Sequence, residues 1–355
     1  GMEMMFQQGT GGKISEFYEL RQYLIAKLLW NPDADVQALT DDFLRGYYGP
    51  ASAFIGQYIT TMHDALEASG GTLGIYGYPY DGIRTYLTPQ LIKSYSNILD
   101  KALKSVEGQP EYLERVKLVR LPLEFAILDI SLRNADNDLT YFKKENGRFT
   151  VRQDMVDRLE KLTQDARDAG ITRYWEHGNA PEEYRSTVLN YVNNSMQDNL
   201  ALFKPVELLT KSSEKYAVGG AAALTDGLKG INDYHFNWLG FEGPDMEAII
   251  DLGRESEIHS IETSFLQDIQ AWVFCPLRVI YFGSRDGITW FILKSIKTNT
   301  SPHQQGAVVE DYKALFQGFL VRYVKVVGKN METCPSWHPG GGYPAWIFCD
   351  EVVVK

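Results

Sequence analysis

The sequence predicts a multidomain protein in which an all-α region is followed by an antiparallel β-sandwich or barrel. From about residue 15 to residue 197, apolar residues recur at spacings of three and four, which is typical of amphipathic helices. After about residue 205 this period stops, and short β-branched or aromatic runs alternate with turn signals. A chain of 355 residues is also long for a single hydrophobic core. We therefore expect two main domains.

The first domain, residues 13–207, is predicted to contain about seven helices. Thr88 before Pro89 is a helix-start signal, and Thr150 with Gln153 resembles a capping box. The polar residues 136–148 are expected to form a loop. The first predicted helix begins near Ser15, and the second spans 36–48. The third carries Ile55 to Leu66, the fourth begins at Thr88, and the fifth spans 111–133. The sixth carries Met155 to Ala166, and the seventh spans 181–195.

The second domain, residues 208–355, is predicted to be all-β. Ser284-Arg285-Asp286-Gly287 is a hairpin turn between two apolar runs. Several short strands without a helical period indicate an antiparallel sandwich or barrel. The predicted strands are 247–252, 258–265, 277–283, 290–296, 319–327 and 345–354.

Charge excludes some classes of partner. The chain has 46 acidic and 35 basic residues, which gives a net charge of −11. Nucleic acid and anionic membrane surfaces attract basic proteins, so we predict neither as a partner. No apolar run reaches about 18 residues, so we also predict no membrane span. The three cysteines match no zinc pattern and are expected to be buried free thiols.

A series of motifs runs from Leu224 to the end of the chain. In chain order they are Leu224-Thr225-Asp226-Gly227, Trp238-Leu239-Gly240-Phe241, Ile250-Asp251-Leu252-Gly253, Phe265-Leu266, Ser284-Arg285-Asp286-Gly287, Val321-Arg322-Tyr323-Val324 and Asp350-Glu351-Val352. With these motifs the region resembles a discoidin domain, also called a coagulation factor five/eight type C domain. That resemblance implies a galactose-binding-like jelly roll, a fold used widely as a carbohydrate-binding module.

The resemblance also implies a structural calcium ion. In similar domains the ion links an early Asp-Gly loop to the last strand, which places the carboxylates of Asp226 and Glu351 at the site. Calcium prefers six to eight oxygen ligands, so backbone carbonyls would complete the shell. The alternative is that Asp226 caps its own turn and Glu351 is a surface residue.

The ligand site implied by the resemblance lies in loops at one end of the sandwich. Here these are residues 267–272 and 336–343. Sugars need flat aromatic faces and planar polar groups, although the aromatic residues could instead pack as a lid on the core. The His, Arg and Asn arrangement of many galactose-specific members is absent, which leaves the sugar open. The candidate ligand-binding residues are Gln267, Asp268, Trp272, Trp337, His338 and Tyr343.

A second series of motifs lies in the first 60 residues. They are Phe6-Gln7-Gln8-Gly9, Glu19-Leu20-Arg21-Gln22-Tyr23, Ala26-Lys27-Leu28-Leu29-Trp30-Asn31-Pro32 and Phe43-Leu44-Arg45-Gly46-Tyr47-Tyr48-Gly49. With these motifs the segment is similar to a domain of unknown function that is related to alpha-glucuronidases and occurs in bacterial polysaccharide-degrading proteins. The resemblance implies that residues 1–12, an isolated strand and turn, are the end of a (β/α)8 barrel. A barrel active site needs loops from several strands, so we name no catalytic residue.

Three functions follow as hypotheses. The first is a non-catalytic, glycan-binding accessory portion of a periplasmic, cell-surface or secreted polysaccharide-degrading protein. The second is a glycoside hydrolase with a cleft in the helical domain, lined by residues 76–86 and by Trp175-Glu176-His177. The third is a structural or interaction module that binds no sugar.

Overall fold

The structure is a computed structural model that describes residues 15–74, 77–133, 139–145, 148–174, 178–216 and 219–355. The predicted strand at residues 2–6 lies outside these ranges. The chain divides into two compact units. One contains the described residues up to Tyr141 together with Arg152–Val188, and the other contains Phe142–Val151 and Leu189–Lys355.

The first unit is helical, as predicted. Where it is described, no helix is both long enough and apolar enough to cross a membrane. The last helix begins in this unit and ends after its boundary at Val188. The helices are α1 (Tyr18–Trp30), α2 (Val36–Tyr48), α3 (Ser52–Ser69), α4 (Pro89–Ser105), α5 (Pro110–Ser131), α6 (Gln153–Asp168) and α7 (Pro181–Asn194).

Local capping explains where two of these helices begin. The Thr88 hydroxyl accepts the Leu91 N–H at the start of α4, as its sequence predicts. The capping box expected at Thr150 is wrong. Thr150 lies in a strand, and α6 begins after Arg152 without a side-chain cap.

The loop predicted at residues 136–148 is also wrong in part, because it contains a strand. Strands β1 (Phe142–Glu145) and β2 (Arg148–Val151) pair in antiparallel register and belong to the second unit. The Phe149 ring packs on Phe203 with centroids 5.6 Å apart. Aromatic packing within this unit thus holds a polar hairpin that has little strand signal of its own.

The second unit is a β-sandwich. Its main sheet has the order β4-β9-β5-β8-β6-β7, and β3 pairs with β5. The described pairings among these strands are antiparallel. The strands are β3 (Val206–Leu208), β4 (Leu239–Glu242), β5 (Met246–Gln267), β6 (Arg278–Ser284), β7 (Phe291–Lys297), β8 (Val308–Lys329) and β9 (Trp346–Val354).

The two longest strands pass through both layers of the sandwich. The pairing of β5 with β8 shifts register between Asp251 and Ser256, where Gly253 has a positive φ of 82°. Asp251 accepts the Gly253 N–H and both guanidinium bonds of Arg322, which fixes this bend. The predicted strands 247–252 and 258–265 are therefore two halves of one bent strand.

Contacts across the two layers form the core. The Tyr281 hydroxyl on β6 bonds the Thr263 hydroxyl at 2.7 Å and donates to the Tyr312 carbonyl at 2.6 Å. Phe265 packs edge-on against Tyr312 with ring centroids 5.4 Å apart. All four of these residues are buried, so the layers are joined by both apolar and polar contacts.

Residues 189–207, which the sequence analysis placed in the helical domain, belong to the sandwich unit. Ala201 is in the sandwich core. Asn199 donates to Glu351 and to the Val352 carbonyl, and it accepts the Val354 N–H. These bonds to the last strand place the boundary between the two units before residue 208, where the sequence composition had predicted it.

Candidate functional site

The turn at residues 268–273 presents one of the candidate aromatic residues. Asp268 and Val273 exchange two backbone hydrogen bonds of 3.0 Å, and the Asp268 carboxylate accepts the Gln270 N–H. Trp272 has a positive φ of 65° inside this closed turn. A left-handed conformation is costly for a large side chain, so the surrounding bonds must maintain it.

The loop at residues 334–344 presents the other aromatic candidates. The Cys334 N–H donates to the Tyr343 carbonyl at 2.8 Å, and the Gly342 N–H donates to the Cys334 carbonyl at 3.0 Å. These bonds close the base of the loop. A closed loop loses little conformational entropy when a ligand binds.

His338 joins the loop to the turn. It is only 6% exposed, and its Nε2–H donates to the Ile269 carbonyl at 2.7 Å. Its Nδ1 accepts the Gly340 N–H at 3.0 Å. Both ring nitrogens are thus used within the protein, so they hold the loop against the turn, and the assignment of His338 to ligand binding stays a prediction.

Four rings form what we call the end-loop surface: Trp272, His303, Trp337 and Tyr343. Trp272 and Tyr343 have centroids 5.7 Å apart, and Tyr343 is 62% exposed. Trp337 is 42% exposed, and its ring centroid lies 4.1 Å from that of His303 with the two rings tilted by 32°. The sequence analysis missed His303, since it lies in a polar segment distant in sequence from both candidate loops.

The two polar candidates differ in their environments. Gln267 is buried, and its amide donates to the Ser301 carbonyl and accepts the Cys275 N–H. Asp268 is partly exposed, and burial, followed by the charge of Asp233, raises its pKa. Asp268 thus remains available to a ligand, whereas Gln267 supports the turn. The assignment of either residue to glycan binding stays a prediction.

A substitution at Gly340 tests how closely the two loops of the end-loop surface pack. A Cβ atom there would lie 2.9–3.0 Å from three ring atoms of Trp272. We expect Gly340→Ala to displace the indole and lower the free energy of unfolding by about 1–3 kcal/mol. Trp272 fluorescence and urea unfolding measure the two effects.

Gly46 provides the matched control for the same added methyl group. It lies in α2, and a Cβ atom there would meet no neighbouring heavy atom within 4 Å. Gly46→Ala is expected to raise helix stability by up to about 1 kcal/mol. An unchanged stability and an unchanged emission spectrum for Gly340→Ala would contradict the packing described for Trp272.

The two residues predicted to bind calcium lie in the same buried region. Glu351 is 2% exposed, and its two oxygens accept bonds of 2.9 Å from Asn199 Nδ2 and the Gly227 N–H. Asp226 accepts the Leu228 N–H at 2.8 Å. Burial, and then the charge of Asp226, raises the pKa of Glu351 well above its ordinary value. Glu351 is therefore not a surface residue.

An ion pair beside this region was missed in the sequence. The Lys229 ammonium lies 3.3 Å from Asp350 and also donates to the Ser264 hydroxyl. Asp350 is fully buried and accepts the Gly230 N–H. Adjacent acids such as Asp350 and Glu351 were the available signal, but only the fold shows which of them pairs with a lysine.

Two other sequence expectations have different outcomes. Cys275, Cys334 and Cys349 are buried free thiols, as predicted. Of the cleft named for the hydrolase hypothesis, residues 77–86 are described, whereas Tyr76 and the tripeptide Trp175-Glu176-His177 lie outside the described residues. Across the described ranges, no group of three or more His, Cys, Asp or Glu residues is arranged to hold a metal.

Comparisons with known proteins give the following similarities. Residues 1–60 match the family model DUF4838, a domain of unknown function. No curated protein matches the chain. Among solved structures, a chitosan-binding module from a chitosanase/glucanase of Paenibacillus sp. IK-5 is 17% identical with a TM-score of 0.31, covering 45% of this chain and 99% of that one.

Two further solved structures are similar at the same level. A fucose-binding module from Streptococcus pneumoniae is 15% identical with a TM-score of 0.30, covering 45% of this chain and 98% of its own. A pectin-binding carbohydrate-binding module is 18% identical with a TM-score of 0.29, covering 42% and 88%. The strand order and the register shift in the long strands describe the second unit as an antiparallel β-sandwich, which follows a helical unit in the chain.

Proposed function

We propose that the sandwich binds glycan at the end-loop surface and serves as the non-catalytic portion of a polysaccharide-degrading protein. The observation that carries this proposal is the exposure of Trp337 and Tyr343 on a loop closed by its own hydrogen bonds. Exposed aromatic residues held in a fixed arrangement are unusual on a surface that has no ligand to bind.

The geometry of the surface suits a sugar chain. Trp272 and Tyr343 are tilted by 42°, and the ring of Trp337 lies in a separate pair with His303. Each pair offers an apolar face to the C–H side of one sugar ring, and the Asp268 carboxylate supplies an acceptor for hydroxyl groups. The two pairs would contact different residues of one oligosaccharide.

A calcium ion bound near Asp226 and Glu351 is part of the proposal. The buried carboxylate of Glu351 and the partly exposed carboxylate of Asp226 repel each other, and a divalent cation between them would remove that cost. Backbone carbonyls or water must supply the remaining oxygens, since among the described residues no group of three or more His, Cys, Asp or Glu could hold a metal. The ion would neutralise charge and hold the Asp226 loop on the last strand.

Export of the protein is also part of the proposal. Polysaccharides are met outside the cytoplasm, so the working location would be the periplasm, the cell surface or the medium. The family match at residues 1–60 carries no activity of its own.

A polysaccharide panel tests the proposal through affinity gels and a glycan array. We expect Trp337→Ala and Tyr343→Ala each to weaken binding by about tenfold to a hundredfold, because each removes a central aromatic contact. Trp290→Ala is the matched control. Trp290 is half-buried in the β6–β7 hairpin beside the Lys325 ammonium, and its loss should leave glycan affinity unchanged.

Two outcomes would favour the other hypotheses. If the folded protein binds no polysaccharide in the panel, the sandwich is an interaction module. Release of product from aryl glycosides or glucuronides by this chain would instead establish the hydrolase.

A further inference from the structure

A cavity of about 530 Å³ lies in the helical unit, and its described lining residues all belong to that unit. Its walls come from α3, from the segment between α3 and α4, from α5, and from positions shortly before α1 and α7. The volume is within the range of small-molecule sites. It is a different place from the end-loop surface, which belongs to the sandwich.

Aromatic rings form much of the wall. Tyr58 on α3 and Tyr174 are almost fully buried, so their rings are fixed in place. Phe125 on α5 packs on Tyr174 with centroids 5.1 Å apart. Tyr86 adds another ring from the segment before α4. The partly exposed rings of Phe125 and Tyr86 can offer flat faces to a ring-shaped or cationic ligand, and the buried rings support the wall behind them.

The charged side chains that line the cavity are acidic. Among its described lining residues, Glu16 and Asp81 are the acids and there is no lysine, arginine or histidine, but the Arg133 guanidinium lies 5.5 Å from the centroid of the Tyr78 ring in the wall. The Tyr58 hydroxyl donates to Glu16 at 2.9 Å. Burial raises the pKa of Glu16, while the bond from Tyr58 and the charge of Arg21 act in the opposite direction. Asp81 accepts the Tyr78 N–H at 2.8 Å.

We propose that this cavity is a second ligand site, which binds a small polyhydroxylated molecule bearing a positively charged amino group. The ammonium group would lie against Glu16 and the partly exposed ring of Tyr86. The carboxylate would thereby gain a charged partner inside the cavity. An acidic sugar would be rejected, because it would bring a third negative charge into a partly buried site.

Three monosaccharides of similar size test the charge assignment: glucosamine, glucose and glucuronate. Calorimetric titration of the full chain should give the tightest binding for glucosamine, weaker binding for glucose and none for glucuronate. Glu16→Gln keeps the size of the side chain and removes its charge. This variant should weaken the affinity for glucosamine by about tenfold and leave the affinity for glucose within about twofold of the unchanged chain.

Glu19→Gln is the matched control, since Glu19 lies on α1 and does not line the cavity. It should leave glucosamine affinity unchanged. Thr72→Lys adds a positive charge at an exposed position on the cavity wall, so it should weaken glucosamine with no change in melting temperature. This second variant tests the site even if Glu16→Gln alters the fold.

Trp272→Ala separates this site from the end-loop surface. Glucosamine binding that is unchanged in Trp272→Ala and about tenfold weaker in Glu16→Gln supports the proposal, whatever the glycan panel shows for the sandwich. The proposal is overturned if no monosaccharide binds, if glucuronate binds as tightly as glucosamine, or if Glu19→Gln has the same effect as Glu16→Gln.

Discussion

Replacing Lys229 by methionine is expected to lower the free energy of unfolding of the sandwich by about 3–5 kcal/mol. Asp350 is fully buried and lies 3.3 Å from the Lys229 ammonium. Burial alone lowers the pKa of Lys229, but the charge of Asp350, followed by those of Asp311 and Glu262, outweighs it and raises the pKa. Without the lysine, the Asp350 carboxylate keeps its desolvation cost and loses its counter-charge.

Urea unfolding measured by tryptophan fluorescence is the test, because five of the seven tryptophans lie in the sandwich unit. Lys229→Met with Asp350→Asn should recover much of the loss, since the amide oxygen still accepts a backbone N–H without a buried charge. Lys313→Met removes a half-exposed lysine 3.1 Å from Glu262 and should change stability by less than about 0.5 kcal/mol. A loss below about 1 kcal/mol for Lys229→Met would show that the pair is dispensable.

Calcium is expected to raise the melting temperature of the sandwich. At a concentration about a hundredfold above the dissociation constant, binding to the folded state alone adds about 2.7 kcal/mol, or roughly 5–10 °C for a unit of this size. Asp226→Ala should abolish the rise. Scanning calorimetry of chelator-stripped protein with and without calcium measures it, and magnesium is the control ion. The same curve in all three samples would count against an ion at this site.

The pH dependence of stability gives calcium binding a second test. The pKa of Glu351 is raised by burial and then by the charge of Asp226, so without an ion the folded state favours the protonated acid. The contribution of Glu351 to the stability of the folded state is fully present below the ordinary pKa of 4.5 and is lost as pH rises through the raised pKa. Bound calcium favours the ionised carboxylate, so with calcium the contribution of Glu351 to stability is lost as pH falls.

The quantity to measure is the melting temperature of the natural chain minus that of Glu351→Gln. In stripped protein this difference should fall as pH rises through the raised pKa of Glu351, whereas in calcium it should rise up to about the ordinary value of 4.5 and stay level above it. The same fall in both conditions would mean that Glu351 does not contact the ion.

Local sequence signals were sufficient to predict most of the helices and one hairpin. The second helix spans Val36–Tyr48, as its apolar period and the Gly49-Pro50 stop predict. The β6–β7 turn also lies where Ser284 to Gly287 indicated, because Asp286 accepts the N–H groups of Ile288 and Thr289. These features depend on residues within a few positions of each other.

Local sequence signals could not rank the candidate ligand-binding residues by their exposure. Gln267, His338 and Tyr343 all have side chains suited to a sugar, and all lie in or beside the predicted loops. The structure separates them by burial: His338 is 6% exposed and Tyr343 is 62% exposed. The partner of His338 is the carbonyl of Ile269, 69 positions earlier, and no local pattern encodes that contact.

The sequence by itself determined the order of a helical unit and a β-unit, the stretch that carries the exposed aromatic residues, and two acids now found in one buried region. Only the tertiary structure decided that Pro335 to Tyr343 is a loop closed on itself, that His338 holds it to the Trp272 turn, and that Lys229 neutralises Asp350. Periodicity and turn chemistry act between neighbours in sequence, whereas burial and charge pairing depend on residues that meet only when the sheet folds over.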